Sequence, residues 1–169
     1  YKLDPVTLET IGEERMNNQA LIGEKMLAHT RIDKKANLMC AAATEFNALE
    51  NQTKVVLYEF DALGNQVSKF ELVEPFFVFH DFTITDEYFV IPVNPGKFDL
   101  KKLPNFILGR SPATDIFQLD DARNLELLLL PRGSVKKDTK SYHRIDLGRF
   151  GAAFHVGPHW IEDGCLVGH

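Results

Sequence analysis

The sequence predicts an all-β protein, and three observations carry that prediction. Runs of β-branched and aromatic residues, each of strand length, recur at short and regular spacing. They are joined mostly by hairpin-type loops. The clearest is Asp61-Ala62-Leu63-Gly64-Asn65, where glycine and asparagine can take positive φ. No segment sustains helical periodicity: residues 7–28 are polar with scattered apolar positions, and Asn17-Asn18 with two glycines allow a short helical turn at most.

In chain order, residues 38–46 form the first strong strand and residues 53–60 the second. Residues 66–73 alternate apolar and polar and form the third. Residues 76–85 and 88–93 read as a further pair, joined at Asp86-Glu87. Residues 94–112 then break the pattern, because Pro95, Gly96, Pro104, Gly109 and Pro112 interrupt it. This long irregular connection still carries Phe98, Leu100, Leu103, Phe106 and Ile107. Strands resume at residues 115–119 and 125–130, and segments 141–147, 151–155 and 164–168 finish the chain. Consecutive four-stranded antiparallel units would make a propeller, but no internal repeat aligns.

Composition narrows the function. The chain has 169 residues, 44% of them apolar and 25% charged, which suits one soluble globular domain. A net charge of -5 without any basic stripe gives no reason to bind nucleic acid. Cys40 and Cys165 form neither a metal-type spacing nor a disulfide framework, which points to a reducing compartment. No apolar run reaches the length of a membrane span. The opening Tyr1-Lys2-Leu3-Asp4-Pro5 reads as the interior of a longer chain, so residues 1–169 are expected to be part of a larger single-domain protein.

No phosphate loop, dinucleotide glycine fingerprint, nucleophile elbow or HExxH motif is present, so the histidines are left to carry the chemistry. Three of the six follow apolar segments: His29 after Met26-Leu27-Ala28, His80 inside Phe76-Phe77-Val78-Phe79, and His155 after Ala152-Ala153-Phe154. Neutral imidazole is a common ligand for iron, zinc and copper. Each also has an ordinary reading: His29 as a loop residue, His80 as a core residue bonded to backbone, and His155 as the end of a strand. On strand geometry His80 and Asp81 would face opposite sides. His143, among Lys140, Tyr142 and Arg144, reads as solvated, and His159 lies past Pro158 in a turn.

Taken together, the segments around these histidines resemble the carotenoid cleavage oxygenase family, which includes apocarotenoid- and stilbene-cleaving members. Leu3-Asp4-Pro5-Val6-Thr7-Leu8-Glu9 is similar to the family's LDP-x-TLE segment. Ala28-His29 with Asp33 resembles its Ala-His-Pro-x-x-Asp motif, with Thr30 in place of proline. Leu57 to Asn65 looks like a recurring strand and turn, and Phe79-His80-Asp81-Phe82-Thr83-Ile84-Thr85 is close to the His-Asp-Phe-Ala-Ile-Thr signature, continued by Tyr88 and Val90. Phe154-His155 followed by Glu162-Asp163-Gly164 is similar to the third histidine motif, with Pro158-His159 replacing Asn-Ala.

The resemblance implies part of a seven-bladed β-propeller, about three blades' worth of antiparallel four-stranded sheets. It implies Fe(II) held by four histidines, with His29, His80 and His155 as three of them and the fourth outside this chain. The acidic residues that orient the ligands would also lie outside it. The implied reaction is dioxygen-dependent cleavage of a conjugated double bond in a lipophilic polyene, a carotenoid or apocarotenoid, with a stilbene as the alternative. Phe79, Phe82 and Phe154 are packing or tunnel-lining candidates. Phe98, Leu100, Leu103, Phe106 and Ile107 would form a tunnel or membrane lip, and Lys97, Lys101, Lys102 and Arg110 interleave with them as at a lipid headgroup surface. The implied location is the cytoplasm or plastid stroma, with peripheral membrane contact. Two other classes stay open: a non-enzymatic β-propeller binding module with structural histidines, and a zinc hydrolase on an all-β scaffold.

Overall fold

The computed structural model describes residues 1–13, 16–17, 25–133, 142–149 and 151–168. Residues 14–15 and 18–24 of the segment expected to allow a helical turn, and both Ser141 and His169, lie outside the described residues. β1 (Lys2–Leu3) and β2 (Thr10–Gly12) form a hairpin. Asp4 closes its turn by accepting from the N–H groups of Val6 and Thr7, each at 2.8 Å, which explains the Asp-Pro-x-Thr pattern as turn chemistry.

β3 (Arg31–Asp33), β4 (Leu38–Asn47), β5 (Gln52–Phe60) and β6 (Gln66–Pro75) make a four-stranded antiparallel sheet in sequence order. The predicted loop joins β5 to β6, with Gly64 at φ 82° and the Asp61 carboxylate accepting from Leu63 and Asn65. β5 is buried along most of its length, and β4 through its middle, because both faces are covered there. Cys40, Ala42, Val55 and Leu57 join the main core, while Ala41, Ala43, Val56, Tyr58 and Phe60 form a second cluster on the other face.

The second sheet contains β7 (Phe77–Val78), β8 (Thr83–Ile84), β9 (Tyr88–Phe98), β10 (Phe117–Leu119), β11 (Glu126–Pro131) and β12 (His143–Asp146). β9 is its hub, pairing antiparallel with β7, β8, β10 and β11. A short helix α1 (Leu103–Ile107) precedes β10, and a hairpin of β13 (His159–Glu162) and β14 (Cys165–Gly168) ends the described chain. The sheets are antiparallel and do not close on themselves.

Several expectations need correction. One sheet has the expected four strands, but the other has six, because β9 recruits short partners, and the remaining strands are two hairpins. The irregular connection starts at Asp99 rather than Asn94, since β9 runs through Pro92, Pro95 and Gly96 to Phe98. Those prolines are tolerated because β9 changes partners there. Pro92 lies opposite the gap between β7 and β8, and Pro95 lies between the stretches that pair with β11 and with β10. Residues 76–85 are not one strand: Phe79–Phe82 leave the ladder between β7 and β8. Residues 151–155 are not a strand, and His159 opens β13 rather than sitting in a turn.

Two polar clamps hold the sheets together. Arg132, just beyond β11, donates to Glu59 of β5 at 2.9 Å, to Asp33 of β3 at 2.6 Å and to the Thr85 carbonyl. Ser68 and the Gly133 N–H also bond to Glu59. Cys40 lies against Arg132 at 3.8 Å, and burial pushes its thiol pKa up to about 12. At the outer edge, Tyr142 and Arg144 both donate to Glu74 of β6, and Arg144 also pairs with Glu126.

Two outcomes follow from this packing. Backbone N–H bonding from Ala36, helped by Arg132, holds the Asp33 carboxyl below the usual range against the opposing effect of burial. Its contribution to stability is present above about pH 4 and lost as pH falls through the folded-state value. We expect Asp33→Asn to lower the thermal midpoint at pH 7 and to flatten the loss of stability between pH 5 and pH 3, measured by circular dichroism. Gly96 faces the fully buried Phe76 ring, and a Cβ there would sit 2.6 Å from it. Phe98 and Phe46 pack on that ring with centroids at 4.0 and 5.6 Å, so it has no room to retreat. Gly96→Ala should cost about 1–3 kcal/mol in chemical denaturation.

Candidate metal centre

Each histidine singled out by its apolar approach sits where the chain is not paired in a sheet. Met26 bridges Ala43 and Arg31 pairs with Cys40, so residues 27–30 span the length of only Ala41 and Ala42 on β4. The surplus bulges out and carries His29. Val78 pairs with Asn94 and Thr83 with Val90, so residues 79–82 face only Ile91, Pro92 and Val93, and this excursion carries His80. Phe79 and Phe82 anchor it from both sides as buried core residues. His155 lies in the unpaired stretch before β13.

The three imidazoles converge. Their nearest ring nitrogens all lie within 4.8 Å of one another, and the Nε2 atoms of His29 and His80 are 3.2 Å apart. Ring centroids stand 4.9 to 5.2 Å apart, with planes crossing at 69 to 80°. The Phe154 ring stacks on His80 at 3.8 Å. His29 and His80 are half-buried, while the His155 side chain is 62% exposed.

Asp81 organises this group. Its carboxylate is buried and lies 3.5 Å from Nδ1 of His155 and 4.0 Å from Nδ1 of His29. It accepts from Arg31 at 2.7 Å and from the N–H groups of Phe82 and Val156 at 2.8 and 3.1 Å. Burial alone would raise the Asp81 carboxyl. The two backbone donors, with the charges of Arg31 and His29, outweigh it and hold the group below the usual range. Burial, with the neighbouring His29 and His155, pushes the His80 imidazole below its ordinary pKa and favours its neutral form.

This donor set fits a transition-metal ion. Three imidazole nitrogens, at least one biased to its neutral form, face one another, and a carboxylate stands behind Nδ1 of two of them, as in sites where an acid fixes a ligating histidine. Nitrogens sharing one ion at about 2.1 Å would stand roughly 3 Å apart, close to the observed His29–His80 separation.

Two expectations are corrected here. Asp81 does not face away from the histidines, because strand alternation does not apply where the chain leaves the ladder. An acid near the candidate ligands therefore lies within this chain rather than wholly outside it. Arg31 carried no signal in the sequence. Asp81 carried one, as the only acid beside a candidate ligand.

Other residues are separate from this group. His143 is exposed, with Tyr88 at 6.1 Å, as expected of a solvated residue. The His159 ring packs against Gly168 and its Nδ1 lies 2.9 Å from the Gly157 carbonyl. Asp33 belongs to the Arg132 clamp. Among the expected lip residues, Leu100, Phe106 and Ile107 are 49%, 42% and 71% exposed, with Leu108 beside them. Leu103 is half-buried. Phe98 is turned inward, its ring 4.0 Å from Phe76 and 5.0 Å from Phe117 by centroid, so it packs the sheet instead of joining the exposed group. No described helix is long and apolar enough to cross a membrane.

The sequence matches curated relatives at modest identity. Carotenoid cleavage dioxygenase 7 (chloroplastic) of Oryza sativa subsp. japonica is 30% identical over 113 residues, covering 65% of this chain and 19% of that protein. Apocarotenoid-15,15'-oxygenase of Synechocystis sp. is 27% identical over 174 residues, covering 99% of this chain and 33% of that protein. Isoeugenol monooxygenase of Pseudomonas putida is 26% identical over 163 residues, covering 96% and 31%. The chain thus spans a third or less of the length of these relatives. In structure it is similar to cobalt-substituted Synechocystis apocarotenoid oxygenase, with a TM-score of 0.80 at 23% identity, over 97% of this chain and 33% of that one. The fold is therefore that of part of a β-propeller. A sequence profile described as retinal pigment epithelial membrane protein matches residues 1–168, and with essentially the whole chain matched, the protein belongs to that family, the family of the carotenoid-cleaving oxygenases.

Proposed function

We propose that the whole protein carrying this chain is a non-haem iron(II) dioxygenase that cleaves a conjugated carbon–carbon double bond of a carotenoid or apocarotenoid into two carbonyl products. The observation that carries this reading is the convergence of His29, His80 and His155 from three separate unpaired segments. The family membership and the names of the carotenoid- and apocarotenoid-acting relatives support it. One alkene and one dioxygen balance two carbonyls, so no further reductant is required.

His29, His80 and His155 would hold the ion as neutral nitrogen donors, with a fourth histidine from outside this chain. Iron(II), when bound, supplies the redox chemistry that activates dioxygen. Asp81 keeps Nδ1 of His29 and His155 oriented, leaving their other ring nitrogens for the ion. Phe154, stacked on His80, limits the motion of that ring and shields it from water. The exposed Leu100, Phe106 and Ile107, beside exposed Lys97, Lys101 and Arg110, suit a lip touching lipid headgroups where a lipophilic polyene enters. Such contact would place the protein at a membrane surface, in cytoplasm or plastid stroma.

A second substrate reading has its own support: the isoeugenol-named relative matches almost the whole chain at an identity similar to the apocarotenoid one. An aryl-conjugated alkene, such as a stilbene or phenylpropene, is therefore the alternative substrate class.

Two experiments test this. In the whole protein, His80→Ala should abolish retained iron and lower substrate-dependent dioxygen uptake by at least about 100-fold. Metal analysis that finds zinc without dioxygen uptake, or no metal at all, would favour a hydrolase or a binding module instead. For the lip, Phe106→Asp with Ile107→Asp should weaken liposome binding about tenfold or more while iron content stays unchanged. Unaltered liposome partitioning would show that α1 packs against protein rather than lipid.

A further inference from the structure

His155 poses a mechanical problem. A ligand must be held in place, yet residues 151–158 belong to no strand, and His155 and Phe154 are exposed. Backbone groups in such a segment usually bond to water and leave the chain free to move.

Three side chains take the place of the missing strand. Asn94 is buried within β9, and its amide bonds both backbone polar groups of one residue, Ala153. Nδ2 donates to the Ala153 carbonyl at 2.8 Å, and Oδ1 accepts from the Ala153 N–H at 2.7 Å. This is the two-way exchange of an antiparallel bridge, made by a side chain instead of backbone. Nδ2 also donates to the Val78 carbonyl at 3.1 Å, which ties the same amide to β7 just before the His80 excursion. On the other side of His155, the Val156 N–H donates to Asp81 at 3.1 Å, and Arg31 reaches the Val156 carbonyl at 3.4 Å. His155 is thus suspended between two anchors, two residues before it and one after.

We propose that Asn94 is a positioning residue for the metal site: its amide fixes the segment that presents His155, and through Val78 it sets that segment against the one presenting His80. The inference rests on the iron-site reading above. Asn94 touches no imidazole and acts only through the backbone it holds. Aspartate at this position keeps the acceptor for Ala153 but cannot donate to either carbonyl, so it releases the anchor with little change in volume.

The test uses cobalt(II) as the probe ion, titrated into the metal-free whole protein. Asn94→Asp should weaken cobalt(II) affinity about 10- to 100-fold, the range seen when groups supporting a ligand are removed. Tyr142→Phe, which removes a sheet-to-sheet hydrogen bond to Glu74 and none to the backbone of the histidine segments, should change affinity less than about twofold even if both variants lower the metal-free thermal midpoint equally. Equal weakening by the two variants, or unchanged affinity in Asn94→Asp, overturns the proposal. Failure of the unmodified protein to bind cobalt(II) overturns the iron-site reading as well, and so is a distinguishable result.

A measurement on the unmodified protein covers the case in which Asn94→Asp does not fold. If the anchor and the metal are coupled, each must strengthen the other. Cobalt(II) should then slow hydrogen exchange at the Ala153 and Val156 amides by about tenfold or more. The Gly64 amide, bonded within its own loop to the Asp61 carbonyl, should be unaffected. Unchanged exchange at Ala153 overturns the proposal.

Discussion

The rest of this structure depends on one constraint: backbone polar groups that leave a β-ladder must find other partners. The histidines stand in positions that no regular strand can supply, because a strand commits its N–H and C=O groups to its neighbours. The chain therefore breaks pairing three times, and each break is repaired locally. Buried Phe79 and Phe82 pin one excursion, the Leu27–Ala42 bond and the Arg31–Cys40 pairing hold another, and the side chains of Asn94, Asp81 and Arg31 hold the third.

Asp81 shows how few residues this takes. One buried carboxylate meets Arg31, two residues after His29, its own neighbour Phe82, two residues after His80, and Val156, directly after His155. The three histidine segments, far apart in sequence, are thereby tied at a single point adjacent to each ring. The Arg132 clamp does a similar service one layer away by fixing β3 and β5 against the turn after β8. A buried charge cluster of this kind carries a desolvation cost, and its value here is in registering one sheet against the other.

Much of this was legible in the sequence. Strand-forming runs with hairpin loops identify the β class, and the 61–65 loop was read directly. His29, His80 and His155 stood out because an ionisable ring in an apolar approach demands a reason, and family motifs tied them together. Other features were hidden for physical reasons. Period-two reasoning assumes an unbroken ladder, so it placed Asp81 on the wrong side and joined residues 76–85 into one strand. Pro95 and Gly96 looked like a strand end, although a strand that changes partners can absorb them. Asn94 seemed to begin a loop, and nothing in its neighbourhood signals a bond to Ala153, 59 residues away. Arg132 follows an apolar strand and reads as an ordinary terminal charge until Glu59 and Asp33 appear beside it.

The Arg132 clamp also bears on redox durability. Cys40 lies in that layer, buried, with its thiol pKa pushed up to about 12, so almost none of it is thiolate at neutral pH. Oxidation to sulfenic acid begins from an accessible thiolate, and Cys40 offers neither the charge nor the access. Cys165, exposed on the β13–β14 hairpin, offers the access. A protein proposed to handle dioxygen thus keeps its interior thiol chemically silent, and of these two cysteines the exposed Cys165 is the one open to oxidation.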